Sequence, residues 1–369
     1  MPGTWSKLVT VITGQTITAS LWNNEFDNVI TNATPAGTDD DSANLSAMQS
    51  TTDPYPSAAE SLATDLSGEL RRLRYLIAQL SGRTQWYQDP LFAQTCCGRL
   101  TLTTATPVTS SDVTAATTVY FTPFKGSIVT LYDGTSWKPY TFTELSVAVP
   151  GTTSTNYDVY IYNNSGTLTL EAVAWTDNTT RATALVVQNG VYVKTGSTGN
   201  RYLGTFRTTG VSGQTEDSVA KRFLWNYQHR VLRDMIAVET TDTWAYTTDT
   251  LRQANGATAN KLDFVIGVSE DMVYGEVRAI AANTIAGTRL AVGVGLSSDA
   301  VDSSVIRHES VSAVADSRFM LSAIFHQYVG AGYRFLVWLE RSAAAGTSTW
   351  YGDNGGTTLK SGIFGHILA

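Results

Sequence analysis

Ser218-Val219-Ala220-Lys221 has the S-x-x-K spacing that puts a serine hydroxyl beside a lysine amine, and Lys194-Thr195-Gly196 matches the K-T-G element of the same serine enzymes. The two occur in reversed order here and no S-D-N element accompanies them, so both read as chance. The histidines are His229, His308, His326 and His366, and none stands at metal-ligand spacing from another or from Cys96 or Cys97. The sequence has no G-x-S-x-G elbow and no phosphate-binding loop; Gly293-Val294-Gly295 is a fragment of a dinucleotide fingerprint with no helix to follow. Asp39-Asp40-Asp41 lacks the glycine and distal glutamate of a calcium loop. A glycosidase needs two carboxyl groups across a groove, and Glu270 and Asp271 are the candidates, although neighbours in sequence need not face one another. No catalytic residue, cofactor or metal ligand is assigned, and the expectation is a protein that is not an enzyme.

Aromatic residues are the richer population: 9 Trp, 17 Tyr and 12 Phe. Most must pack strand faces. Trp244, Tyr246, Trp350 and Tyr351 lie beside expected loops of the C-terminal region, and they are the candidate glycan contacts, since an aromatic face with a few polar neighbours can stack on a sugar ring. Packing inside a sandwich is the competing role for each.

Charge narrows the partners. Only 15% of residues are charged, against the usual quarter or so, and the net charge is −7. No basic run exceeds Arg71-Arg72, so nucleic acid is not expected as a partner. The surface must be built from Thr, Ser, Asn and Gly, which suits strands and tight turns. No apolar run approaches membrane length, and the first twenty residues or so lack the apolar core of a secretory signal. Synthesis and folding in a cytoplasm are therefore expected. Cys96 and Cys97 are adjacent, where an ordinary disulfide would be strained, so free thiols are expected, with a bridge between subunits as the alternative.

These residues need elements to hold them. Residues 18–32 read as a short amphipathic helix with Leu21, Trp22, Phe26, Val29 and Ile30 on one side. Residues 33–56, with four prolines and glycines among acidic and small residues, read as a linker. Ser57–Leu80 reads as a second helix of about 24 residues, roughly 36 Å long. With Ala63, Leu70 and Ile77 at heptad position a, the d positions take Ala59, Leu66, Leu73 and Leu80. Glu69 at g and Arg74 at the next e have the spacing of a charge pair between parallel helices. Gly82 should stop the helix.

Beyond Pro90 short β-prone runs alternate with turn signals at Asp133-Gly134, Asn163-Asn164-Ser165-Gly166 and Asn189-Gly190. At least six strands are expected before residue 214, as an antiparallel sandwich or barrel. Thr215–Val231 reads as a joint, helical at its start. The remainder reads as a jelly-roll-like sandwich of about 135 residues, with Gly330-Ala331-Gly332 joining two apolar strands. The expected division is 1–56, a docking segment; 57–90, a helical stalk; 91–214, a middle β domain; and 215–369, a C-terminal β-sandwich domain.

"ITASLWNNEFDNVI", "LRYLIAQLSGRTQWYQDP", "VYFTPFKGSIVTLYDGTSWKPYTFTELSVAV", "NYDVYIYNNSGTLTLEAVAW", "RATALVVQNGVYVKTG" and "RYLGTFRTT" together resemble one family of tailed-bacteriophage fibre or spike proteins, over roughly residues 15 to 230. The resemblance implies a homotrimeric virion protein with a short coiled-coil stalk. Its N-terminal helix, through Leu21, Trp22, Phe26, Val29 and Ile30, would dock on other virion proteins of the tail, collar or capsid. Leu66, Leu70, Leu73, Ile77 and Leu80 would form the trimer seam, and the β domains would project for attachment to a host surface glycan. A head fibre or capsid decoration without receptor binding is one alternative, and a glycan-degrading tailspike is another.

Overall fold

The computed structural model describes residues 66–87, 95–297, 306–356 and 359–369. The chain divides into two compact units, Met1–Leu91 and Phe92–Ala369. The expected helix at 18–32 with its docking residues, the linker at 33–56 and the first turns of the 57–80 helix lie outside the described residues.

In the first unit, α1 runs Leu66–Ser81. Leu and Arg dominate it, both good helix formers. It ends as Gly82 predicts. That residue takes φ +69°, the amide of Gly82 donates to Gln79 O at 3.2 Å, and the amide of Arg83 donates to Ala78 O at 3.1 Å. This is a Schellman closure, which caps two carbonyls the last turn would leave unpaired.

The second unit is mainly β. Its strands are β1 (Gly98–Thr101), β2 (Val113–Ala116), β3 (Thr118–Pro123), β4 (Ile128–Tyr132), β5 (Trp137–Thr141), β6 (Leu145–Ala148), β7 (Asn156–Asn164), β8 (Thr167–Ala174), β9 (Leu185–Gln188), β10 (Val191–Lys194) and β11 (Ser197–Arg207). After these come β12 (Thr215–Asp217), β13 (Lys221–Arg222), β14 (Leu224–Asn226), β15 (Leu232–Val238), β16 (Thr243–Ala245), β17 (Arg252–Gln253) and β18 (Lys261–Ile266). The last are β19 (Met272–Asn283), β20 (Arg289–Leu296), β21 (Ile306–Val311), β22 (Phe319–Tyr328), β23 (Gly332–Arg341), β24 (Ser348–Tyr351) and β25 (Gly362–Leu368).

A sheet ordered β1-β3-β6 and a sheet ordered β8-β7-β11-β10-β9, with β14 also on β11, share one core around Leu100, Phe121, Val159, Ile161, Leu203 and Phe206. A sheet ordered β2-β12-β13-β18-β23-β20-β21, with β17 on β23, and one ordered β15-β25-β19-β24-β16, with β22 on β19, share a second core. That core holds Phe264, Leu290, Phe325, Trp338 and Trp350. The expected sandwich character is therefore present, and the pairing is antiparallel except between β13 and β18. The turns fall where the sequence places them: Ser165-Gly166 between β7 and β8, and Asn189-Gly190 between β9 and β10, all four residues at positive φ as a two-residue hairpin requires. Gly330-Ala331-Gly332 instead crosses between sheets, since β22 pairs with β19 while β23 pairs with β18 and β20.

Two expectations change. The joint at 215–231 holds β12, β13 and β14, with no helix. Glu216, Asp217 and Ser218 are buried there, and a tight turn from Ser218 to Lys221 closes the β12–β13 pair through two backbone hydrogen bonds. Tertiary pairing with β2 and β11 overrides local propensity. The β regions 91–214 and 215–369, expected as separate domains, form the single unit Phe92–Ala369. β2, from the first region, pairs with β12, and Tyr160 and Tyr202 enter the second core. Arg181 pairs with buried Asp158 at 2.6 Å and also donates to Gly267 O at 2.6 Å, while Arg207 lies 3.9 Å from the ring centre of Tyr333. Such cross-links tie the two regions to each other.

Candidate functional site

Three hairpins of the second unit converge on a cleft of about 360 Å³. The first is β4–β5. In its loop Asp133 Oδ1 accepts the amides of Thr135 at 2.8 Å and Ser136 at 2.7 Å, and Lys138 lies 3.2 Å from the other oxygen. Those amides, chiefly that of Ser136, hold the Asp133 carboxyl below its usual range. The second is β7–β8. Asn163 Oδ1 accepts the Gly166 amide at 2.7 Å, which turns its Nδ2 toward Tyr140 Oη at 3.3 Å. The third is β10–β11. At Gly199 a Cβ would lie 3.1 Å from Tyr132 O, a tight contact, so the missing side chain eases the approach of the strand to β4. Asn200 Nδ2 donates to Glu171 Oε2 at 2.9 Å, and Glu171 Oε1 pairs with Lys194 at 2.6 Å. Tyr132, Tyr140 and Tyr162 supply the aromatic walls. Tyr132 leans on buried Trp137, ring centres 5.7 Å apart, which fixes that wall from behind.

A second cleft, of about 280 Å³, is lined by Arg222 and Arg233 together with Ser110, Ser111, Asp112 and Asp234. Both guanidinium groups are engaged by Asp217, at 3.1 Å and 2.9 Å, and by backbone carbonyls of Asp234 and Thr109. Nearby Arg99 is pushed down to about 10 by burial and by the charge of Arg233. It donates to the carbonyls of Pro107, His229 and Ala369. This cluster fastens segments far apart in sequence.

The candidate glycan contacts separate into two pairs. Trp244 is 9% exposed and Trp350 wholly buried. They face each other across β16 and β24 as core residues, so neither can offer a face to a sugar. Tyr246 and Tyr351 are partly exposed, but Arg252 lies 3.9 Å from the ring centre of Tyr246 and Arg318 lies 4.1 Å from that of Tyr351. Of the seam residues, Leu70 is 43% exposed, Leu73 54%, Ile77 40% and Leu80 88%, with Leu76 beside them at 41%. Leu66 opens α1, but its side chain is outside what is described. Arg74, the residue with charge-pair spacing, lies 4.7 Å from the ring centre of Trp86. The aromatic exit thus folds back on its own helix, and Trp86 meets Tyr87 edge-on at 5.9 Å.

The residues considered for chemistry have other partners. Glu270 and Asp271 are both ion-paired to the one guanidinium of Arg230. Ser218 Oγ donates to Glu216 Oε1 at 2.7 Å while Lys221 Nζ meets Oε2 at 3.1 Å, so one carboxylate ties the serine and the lysine together. His326 and His366 flank Tyr274 across three strands, with ring centres 6.0 and 5.0 Å from its own. No group of three or more metal-ligating side chains occurs among the described residues. Cys96 and Cys97 are free thiols, and burial pushes the Cys96 thiol up.

A further surface escaped sequence reasoning. The outward face of the β15-β25-β19-β22 sheet exposes Leu232, Ile236, Met272, Met320, Ile324 and Tyr328. Both faces of these strands carry large apolar residues, so alternation alone could not say which face is inside.

No family model and no curated protein matches the chain. Among solved structures, the sugar-binding C-terminal domain of EclA aligns at 11% identity over 31% of this chain and 78% of its own, with a TM-score of 0.19. TmCBM61, in complex with β-1,4-galactotriose, aligns at 10% identity over 37% of this chain and 88% of its own, with a TM-score of 0.18. A structure of infectious bursal disease virus, Gx strain, aligns at 12% identity over 70% of each chain, with a TM-score of 0.22. Superpositions this loose do not define a shared fold.

Proposed function

We propose that this chain is a structural protein of a tailed-bacteriophage virion, a homotrimeric tail or collar fibre or spike. Its N-terminal segment docks on other virion proteins, and its β unit projects toward the host surface for attachment. The observation that carries this reading is the apolar stripe of α1. Leu70, Leu73, Leu76, Ile77 and Leu80 keep between 40% and 88% of their surface in a single chain. That is about two and a half leucine side chains of uncovered surface, worth on the order of 4–8 kcal/mol per chain if fully buried. A lone helix of 16 residues is marginal in water. Like stripes on two further copies would cover it, in the heptad register of the sequence. The outward face of the β15-β25-β19-β22 sheet, whose exposed apolar side chains stand among Asp234, Glu276, Arg278, His326 and His366, offers the same three copies a second contact.

The test is the mass of the purified full-length chain by light scattering. Three times 39.8 kDa is expected, falling to a single chain when Leu73→Asp and Ile77→Asp are combined. A monodisperse monomer of the unaltered chain, or a trimer indifferent to both substitutions, would refute the seam.

A further inference from the structure

We propose that the cleft between the β4–β5, β7–β8 and β10–β11 hairpins binds a neutral saccharide. The inference rests on the attachment reading for its biological sense and gives it a site and a ligand class.

The lining decides the chemistry. Among the described residues, no lysine, arginine or histidine lines the cleft. Lys138 and Lys194, on the strands that border it, are paired with Asp133 and Glu171. A phosphate, sulfate or carboxylate ligand would therefore find no counter-charge and would meet the Asp133 carboxylate. An apolar ligand fits no better, because three tyrosines, Asn163, Asn200, Thr198 and Asp133 line the space. A ligand with many hydroxyls, no charge and an exposed carbon face suits such walls. Tyr faces can stack on the C–H side of a pyranose ring, while amide and carboxylate groups both give and accept hydrogen bonds at its rim.

The geometry is preformed. Asn163 is fixed through Gly166 and Asn200 through Glu171, which leaves Asn200 Oδ1 as an acceptor. The hydroxyls of Tyr132 and Tyr162 have no hydrogen-bond partner among the described residues. A ligand therefore pays little to order the site. The volume of about 360 Å³ lies at the small end of ligand pockets, the range for one or two sugar rings. One such contact is weak, and several copies on one particle would act together.

The test is saturation-transfer difference NMR on the full-length chain, with glucose, galactose, mannose, N-acetylglucosamine, maltose and lactose as probes. Transfer to the ring protons of at least one probe is expected. Tyr162→Ala, which removes a wall, and Thr198→Trp, which fills the cleft from a partly exposed strand position, should each lower it at least tenfold, and excess inorganic sulfate should leave it unchanged. Should Tyr162→Ala fail to fold, Thr198→Trp decides. Absence of transfer from every probe, transfer that survives Thr198→Trp, or displacement by sulfate would each overturn the proposal. A monomer that binds keeps the cleft and removes the trimer, and a trimer that binds no probe does the reverse.

Discussion

Glu340 makes the pH dependence of the β unit a sharp test of how burial and hydrogen bonding compete. Its side chain, on β23, is wholly buried. Oε1 accepts from Arg252 Nε at 2.8 Å, Arg252 Nη2 at 2.7 Å and the Asn255 amide at 3.1 Å, and Oε2 accepts from Trp244 Nε1 at 2.8 Å. Burial pushes its pKa from 4.5 up to about 7, against the opposing pull of Arg252 and the hydrogen bonds. The folded chain then holds one proton more than the unfolded chain between those two values. The contribution is complete below pH 4.5, declines as pH rises, and is gone above about pH 7. Each pKa unit corresponds to about 1.4 kcal/mol, so the loss across the window is about 3 kcal/mol. Denaturant unfolding of the unaltered chain and of Glu340→Gln, at intervals from pH 4.5 to 8, checks this. The amide sets one N–H donor against those that face the carboxylate, a penalty that does not vary with pH. The variant should therefore gain about 3 kcal/mol on the unaltered chain as pH rises. Parallel stability curves would refute the reasoning and would mean that the four donors outweigh burial and keep the carboxylate charged throughout.

Gly332→Ala should destabilise the unit by at least about 2 kcal/mol, because φ there is +107° and the added Cβ would lie 2.2 Å from the carbonyl oxygen of Asn178. Gly330→Ala, two residues away, should cost far less, since the obstruction is the tip of the Arg334 side chain; thermal melts of the two variants compare them directly. Native chain treated with iodoacetamide should take one label quickly, on Cys97, and a second, on Cys96, only after unfolding, because Cys96 is 4% exposed and its thiol is held neutral by burial. Equal rates at both thiols, read by mass spectrometry, would contradict that burial.

What could be read from sequence was local. Gly82 and the pairs Ser165-Gly166 and Asn189-Gly190 mark chain reversals because positive φ is cheap for glycine and tolerable for Ser and Asn, a property of single residues that needs no partner. The joint at 215–231 reads as helical at its start yet forms strands, because its conformation is set by β2 and β11, which arrive from elsewhere in the chain. The two β regions looked separable because composition carries no trace of Arg181 reaching Gly267 or of Tyr160 and Tyr202 entering the second core.

The aromatics show where such reading stops. Alternation gives Trp244 and Trp350 a common face with their neighbours two residues away, but it does not say which face another sheet will cover. Their burial depends on a pairing across more than 100 residues, Trp244 opposite Trp350, and on the sheet behind them that supplies Trp338, whose ring centre lies 5.9 Å from that of Trp244. Tyr132, Tyr140 and Tyr162 are the converse case. Each is an unremarked strand residue, and none of them alone signals a ligand. They become three walls of one cleft because β11 passes close to β4, eased by Gly199, and because the Asn163 cap sets the β7–β8 turn beside Tyr140. A binding surface assembled from three hairpins is fixed by contacts between them, so the residues that create it include a glycine and a turn cap that no chemical motif would single out.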